Sequence, residues 1–300
     1  MGAIIQKSQS THYYTQEGQP AYNSGLAEAR KKGYRPSTTT ILGIIDKFNI
    51  GVWKQEQAIL AVFDALDAKW KEIVKTSSDI KAETQEYWNN SLRPDNKTLM
   101  DKIKEFLQER TSRAAVLGTK IHKMAENHLE KIEVIVEKDS IEEAIWDNAR
   151  GWIDKHIGTG CSERSFANNI LGYGGRIDFE GTLKNMGDYF YQDEFEAVVD
   201  FKTQNVKEGK PNYWEDMAYQ LASYRKADSE KEEFIPIENG KRCVTVIIST
   251  APDFRGVTAK VWPETEDEKK ELKIRAGITI EKGWEVFKAA KELFYKVKGL

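Results

Sequence analysis

Cysteine is nearly absent. Cys161 and Cys243 are the two among 300 residues, and they form no Cys-x-x-Cys pair. That argues against a disulfide framework or a zinc site of several thiolates, and it excludes a four-cysteine iron–sulfur cluster within the chain. Long apolar runs are missing too: stretches such as Val244–Ile248 are far too short to span a bilayer, so no membrane partner is expected. The N-terminus has no charged-then-apolar signal pattern, and Gln6 stands where a myristoylation motif needs Ser or Thr. A cytoplasmic protein is the expectation. Positive charge is not in excess either. Lys and Arg number 45 against 48 Asp and Glu, a formal net charge of −3, so any attraction to nucleic acid must come from local basic patches. What is present, 31% charged and 40% hydrophobic residues, describes a globular chain long enough to bury a core.

The stretch from Gly172 to Thr203 organises the rest. Gly-Tyr-Gly-Gly-Arg-Ile-Asp-Phe-Glu-Gly and Ala-Val-Val-Asp-Phe-Lys-Thr both read as strands, joined through a polar segment with Gly187, Asp188, Asp193 and Glu194. Side chains two apart on a strand share a face, so Asp200 and Lys202 project together while Val199 and Phe201 face a core. If the strands pair, Asp178 comes alongside Asp200. Two carboxylates and an ammonium on one face suit a hard divalent cation that keeps water and phosphate as its other ligands. A solvated surface hairpin is the plainer alternative, and the flanking segments bear on the choice.

Residues 1–35 are polar and rich in turn formers, and order is expected from Pro36 onward. Ser37, Thr38, Thr39 and Thr40 precede an apolar run, a helix N-cap signal that also leaves open a phosphate seat at the helix start. Helical spacing recurs over Val52–Val74, after Asp79, and from about residue 97 to 130 as one long helix or two. The polar face of the last stretch carries Lys97, Lys102, Lys104, Arg110, Arg113, Lys120 and Lys123, the best candidate for following a nucleic-acid backbone. There Gly118, His122 and Glu126 fall four apart and share a face. Ile141–Ile157 reads as a helix, Glu163–Phe166 as a short strand, Asn212–Ala227 as a helix with Gln220 and Tyr224 on one face, Arg242–Thr250 and Gly256–Trp262 as a hairpin, and Glu264–Leu300 as a long amphipathic helix.

In this order the chain resembles the PD-(D/E)XK nuclease superfamily, specifically its RecB-type branch, which includes phage and mitochondrial single-strand exonucleases and CRISPR adaptation nucleases. The likeness covers about residues 116–262. It rests on Gly118-Thr-Lys-Ile-His122, Gly175-Arg-Ile-Asp178, Val199-Asp200-Phe-Lys202-Thr203 and Gln220-Leu-Ala-Ser-Tyr224. Pro36-Ser-Thr-Thr-Thr-Ile-Leu with Trp53 downstream is similar to the opening of phage members. Ile177 replaces the proline of the superfamily's name and Asp200 its glutamate; both changes are usual in this branch. The cysteines of the iron–sulfur subfamily are missing.

The resemblance implies an α/β fold with a restriction-endonuclease-like core: a mixed central sheet flanked by helices, an N-terminal helical segment and a long C-terminal helix. Divided accordingly, 1–35 is a surface or partly mobile segment, 36–115 a helical cover of the active site, 116–262 the nuclease core and 263–300 the C-terminal helix. Asp178 and Asp200, with the Phe201 carbonyl and His122, would hold Mg²⁺ or Mn²⁺, and no iron–sulfur cluster is expected. Lys202 would orient water or stabilise charge on the phosphate, Gln220 and Tyr224 would support the site and touch DNA, and Glu126 would fix the His122 ring. Glu163 is either a ligand of a second metal or a buried structural acid, and Ser37 and Thr39 belong to the possible phosphate seat. Trp53 and Trp88 are core residues or stacking platforms for unpaired bases. The expected activity is metal-dependent DNA hydrolysis, most readily as a single-strand exonuclease of phage or bacterial recombination and repair. A structure-specific or double-strand endonuclease shares the same motifs. A non-cleaving nucleic-acid-binding protein is the alternative from another class, against which the intact Asp178, Asp200 and Lys202 argue.

Overall fold

The computed structural model describes residues 12–45, 62, 97–253, 255–274 and 277–300. The chain divides into two compact units, Met1–Asp46 with Thr119–Leu300, and Lys47–Gly118. Every residue of the candidate site belongs to the first. Val62 apart, the helices expected over Val52–Val74 and after Asp79, with Trp53 and Trp88, lie outside the described residues.

Order reaches back beyond Pro36. Strands β1 (Tyr13–Tyr14) and β2 (Arg35–Pro36) pair antiparallel on either side of helix α1 (Leu26–Lys32), and helix α2 (Thr38–Leu42) follows. The polar composition hid this because two buried tyrosines, Tyr13 and Tyr14, supply the apolar anchor. Helix α3 (Lys97–Leu129) is continuous over 33 residues. Helix α4 (Ile141–His156) starts at a Ser140 cap whose hydroxyl accepts the Glu143 N–H at 3.0 Å.

The centre is a five-stranded mixed sheet of order β3 (Ile157–Asn168), β4 (Tyr173–Leu183), β5 (Phe195–Gln204), β6 (Arg242–Ser249) and β7 (Val257–Val261). All neighbours are antiparallel except β5 and β6. A parallel pair needs a crossover connection, and helix α5 (Glu215–Arg225) lies within it. Strand β6 is buried along its whole length, as a central strand covered on both faces must be. Helix α5 packs on β5 and β6, while α4 packs on β3, β6 and β7. The edge strand β3, expected as four residues, runs for 12, because its polar edge positions mask the pattern that the register with β4 imposes.

The C-terminal helix expected over Glu264–Leu300 is two helices, α6 (Glu266–Glu271) and α7 (Ile280–Lys298). Lys273 at φ +54° and Gly277 at φ +92° leave helical geometry between them, and the Thr279 hydroxyl accepts the Lys282 N–H at 3.2 Å to start α7. From α7, Trp284 and Phe287 enter one apolar cluster with Leu221 of α5, Tyr173 of β4 and Trp262. The approach of α7 to α5 depends on Gly283: a Cβ there would stand 2.9 Å from the Ala218 carbonyl oxygen.

Helix propensity and packing therefore disagree about Gly283→Ala. Propensity alone favours alanine by about 1 kcal/mol, whereas forcing a methyl group against a backbone carbonyl costs about 1–3 kcal/mol. We expect a net loss, read as a lower urea midpoint with unchanged slope. A midpoint above that of the wild type would show that α5 and α7 have room to part.

Candidate active site

The site forms where β4 and β5 separate. Their ladder runs from Leu183↔Phe195 to Phe179↔Val199, which leaves Asp178 and Asp200 at the next opposed positions. There a side chain takes over from the ladder: Asp178 Oδ2 accepts the Phe201 N–H at 2.7 Å. Asp200 is buried, and its Oδ1 accepts from Lys202 Nζ at 2.6 Å and from Gln220 Nε2 at 3.1 Å. Gln220 also donates to the Tyr224 hydroxyl at 2.7 Å, so Tyr224 reaches the Asp200 carboxylate through Gln220. Gly175 lets this happen, since a Cβ there would meet the Tyr224 ring at 3.0 Å. On α3, His122 Nδ1 lies 3.7 Å from Asp178 Oδ2. The opposite carboxylate oxygen, Asp200 Oδ2, is buried without a hydrogen-bond partner.

These groups perturb one another. Burial, together with the Asp178 carboxylate, pushes Asp200 up to about 6 despite the opposing Lys202 ammonium. Burial likewise raises Asp178, against Lys202 and the Phe201 N–H. Burial alone would lower Lys202, but Asp200 and Asp178 outweigh it, and the ammonium is held above its ordinary value. Burial and Lys202 hold His122 down to about 4, so its imidazole is neutral at pH 7 and keeps a lone pair for ligation.

Glu163 joins the cluster from β3. It sits at the register position opposite Asp178, between the paired Ser162↔Phe179 and Arg164↔Ile177, with φ +51°. A non-glycine residue in that conformation inside a strand marks local strain, which gathers at functional sites. Burial and the Asp178 carboxylate push it up to about 7, even though its Oε2 lies 2.6 Å from Arg176 Nε. Glu126 is paired with Lys123 at 2.7 Å, and Lys120 with Glu142 at 2.7 Å. No hydrogen bond joins Glu126 to His122 among the described residues. The side chains of Lys97, Lys102, Lys104 and Arg110 lie outside the described residues.

Ser37 and Thr39 serve the start of α2. The Ser37 hydroxyl accepts the Thr40 N–H at 3.1 Å and lies 3.2 Å from Thr39 Oγ1. Thr38 reaches Gly174 O and Ser223 Oγ, so this segment braces β4 and α5. Arg176 received no role from the sequence, although it stands two residues before Asp178 on the same strand. That spacing was the signal available.

No group of three or more His, Cys, Asp or Glu side chains is gathered at ligating separation among the described residues. What the geometry offers a cation is smaller: two carboxylates from adjacent strands, one with an unpartnered oxygen, and a neutral imidazole beside the other. A hard cation that retains several waters suits such a set.

Asp200 carries a sign that can be measured. Its pKa of about 6 exceeds the ordinary 3.8, so the folded chain keeps a proton that the unfolded chain releases. Stability from this group therefore falls as pH rises through that window. In a chelating buffer, Asp200→Asn should gain on the wild type between pH 3.8 and pH 6, read as the difference in urea midpoints. A difference that shrinks over that range would contradict the environment described. No protein-family model matches the chain, and no curated protein matches it, so the functional reading rests on this geometry.

Proposed function

We propose that this protein is a metal-dependent deoxyribonuclease with a restriction-endonuclease-like core, acting on single-stranded DNA as an exonuclease. The observation that carries the reading is the buried, unpartnered Oδ2 of Asp200 beside a second raised carboxylate, Asp178, with Lys202 held on the other oxygen. A buried anionic oxygen with no donor is costly, and a cation is the partner that removes the cost while also lowering the repulsion between the two acids. Asp178 and Asp200 are the anionic ligands for Mg²⁺ or Mn²⁺, with His122 able to complete the set for the softer ion. A cation held there supplies an activated water at neutral pH and offsets charge on the scissile phosphate.

The remaining roles belong to the chain itself. Lys202 keeps its proton and sits against Asp200 with its side chain partly open to solvent, where it can steady charge growing on phosphate oxygens. Gln220 fixes the Asp200 carboxylate and Tyr224 fixes Gln220, so α5 sets the angle of the acid it faces. Phosphodiester hydrolysis needs this combination of anionic ligands and one cationic side chain, whereas a protein that only binds DNA has no use for buried acids that repel it.

Three measurements test the reading. Manganese at about a hundredfold over its dissociation constant should stabilise the wild type by about 2.7 kcal/mol and leave Asp200→Asn unmoved. Asp200→Asn should abolish cleavage of end-labelled DNA, and Lys202→Ala should lower turnover by about a hundredfold to a thousandfold with little change in manganese affinity. Linear single strands should be degraded while circular ones persist. Equal loss of both would make the enzyme an endonuclease, and cleavage by Asp200→Asn at the wild-type rate would remove the site.

A further inference from the structure

Arg176 stands two residues before Asp178 on β4, with its side chain half exposed. Its register partner across β3 is Ser165, yet its ion-pair partner is Glu163, two residues back along that strand, with Nε 2.6 Å from Oε2. The diagonal contact is an ion pair at Nε, without a hydrogen bond to Glu163 Oε2. Among the described residues no hydrogen bond takes up Nη1 or Nη2. The half-exposed Tyr22 and the buried Tyr14 lie close enough to Arg176 to act on its charge, as does Asp178 itself. A surface ion pair with both partners solvated contributes little to stability. This pair differs: Glu163 is largely buried in a strained backbone conformation, so the chain meets a cost to present a tethered guanidinium at the rim of the carboxylate site.

Resting on the nuclease reading, we infer that Arg176 is a substrate-positioning residue whose Nη1 and Nη2 grip a backbone phosphate of the bound strand next to the bond being cut, with Glu163 as its tether. The chemistry fits the geometry. A guanidinium presents two parallel donors that match two phosphate oxygens, which a lysine ammonium cannot do. Pairing through Nε leaves Nη1 and Nη2 for a phosphate, and an arginine already held by an ion pair loses less rotamer freedom on binding than an untethered one. The tether also keeps positive charge close to acids that would otherwise repel the incoming strand.

The experiment measures binding of a fluorescein-labelled oligothymidylate to the full chain in the Asp200→Asn background across a series of salt concentrations, for Arg176, Arg176→Gln and Arg176→Lys. Turnover is measured in the otherwise wild-type enzyme. Arg176→Gln should bind about tenfold more weakly, with a salt slope shallower by about 0.7, the value for one lost single-strand phosphate contact. In turnover the loss should fall on KM more than on kcat. Arg176→Lys keeps the charge, so it should keep the slope and lose part of the affinity. It also serves if the glutamine variant is unstable, because a lysine with wild-type affinity and KM overturns the fork. Wild-type affinity and slope in Arg176→Gln, in a protein whose parent cuts DNA, would overturn this inference and spare the nuclease reading. A wild type that neither binds nor cuts the strand would overturn both.

Discussion

Two carboxylates buried beside one another set the terms for this protein. Asp178 and Asp200 repel, and one ammonium, Lys202, opposes them. Left to electrostatics the strands carrying them would separate further. Hydrogen bonds hold them instead: five paired positions bring β4 alongside β5 up to Phe179↔Val199, and the Asp178 carboxylate then takes the Phe201 N–H that the departing strand no longer satisfies. The same bond that pins the acid in place closes the backbone accounting at the split. The parting of the strands makes room for the site, and the side chain at the split repairs it.

The strain is borne by the scaffold around α5. Its last residue, Arg225, forms a buried ion pair with Glu264, and the next, Lys226, pairs with Glu238 at 2.7 Å and donates to the Lys231 and Glu233 carbonyls. Buried pairs of this kind add little net stability over apolar replacements, but they permit one arrangement and penalise others. Positive charge at a helix C-terminus also complements its dipole. The N-terminal half of α5 is held by packing on α7 through Gly283, so Gln220 and Tyr224 have little freedom to leave Asp200. Precision at the acid is thus set by groups a helix length away from it.

Much of this was legible in the sequence, and the reasons are specific. Strand alternation put Asp200 and Lys202 on one face, because this follows from local geometry that tertiary context does not override. The four-residue spacing of Gln220 and Tyr224 was enough to place them together. Elsewhere local pattern misled. The charged run after Glu264 continues a helical period into α7, and nothing in periodicity reveals that Lys273 and Gly277 turn the chain. Strand β3 was seen in its middle alone, since an edge strand has no obligation to alternate. The Glu163–Arg176 pair was not legible, because it is diagonal, depends on a positive φ, and joins residues from two strands whose register no single sequence prints.

The charges of the site also explain why its parts belong together on the proposed reading. With both aspartates ionised, Lys202 protonated and His122 neutral, the inner group sums to −1. A divalent cation would turn −1 into +1, and a phosphodiester carrying −1 would bring the total to zero. Neither ligand alone gives balance: the strand meets a net negative pocket without the cation, and the cation leaves an uncompensated charge without the strand. In a partly buried site such imbalances are weakly screened and therefore expensive. Each ligand should thus strengthen the other's binding by the same factor, as linkage requires. Removing Asp178, Asp200 or Lys202 changes the sum, so these three charges behave as a unit rather than as separable contributions.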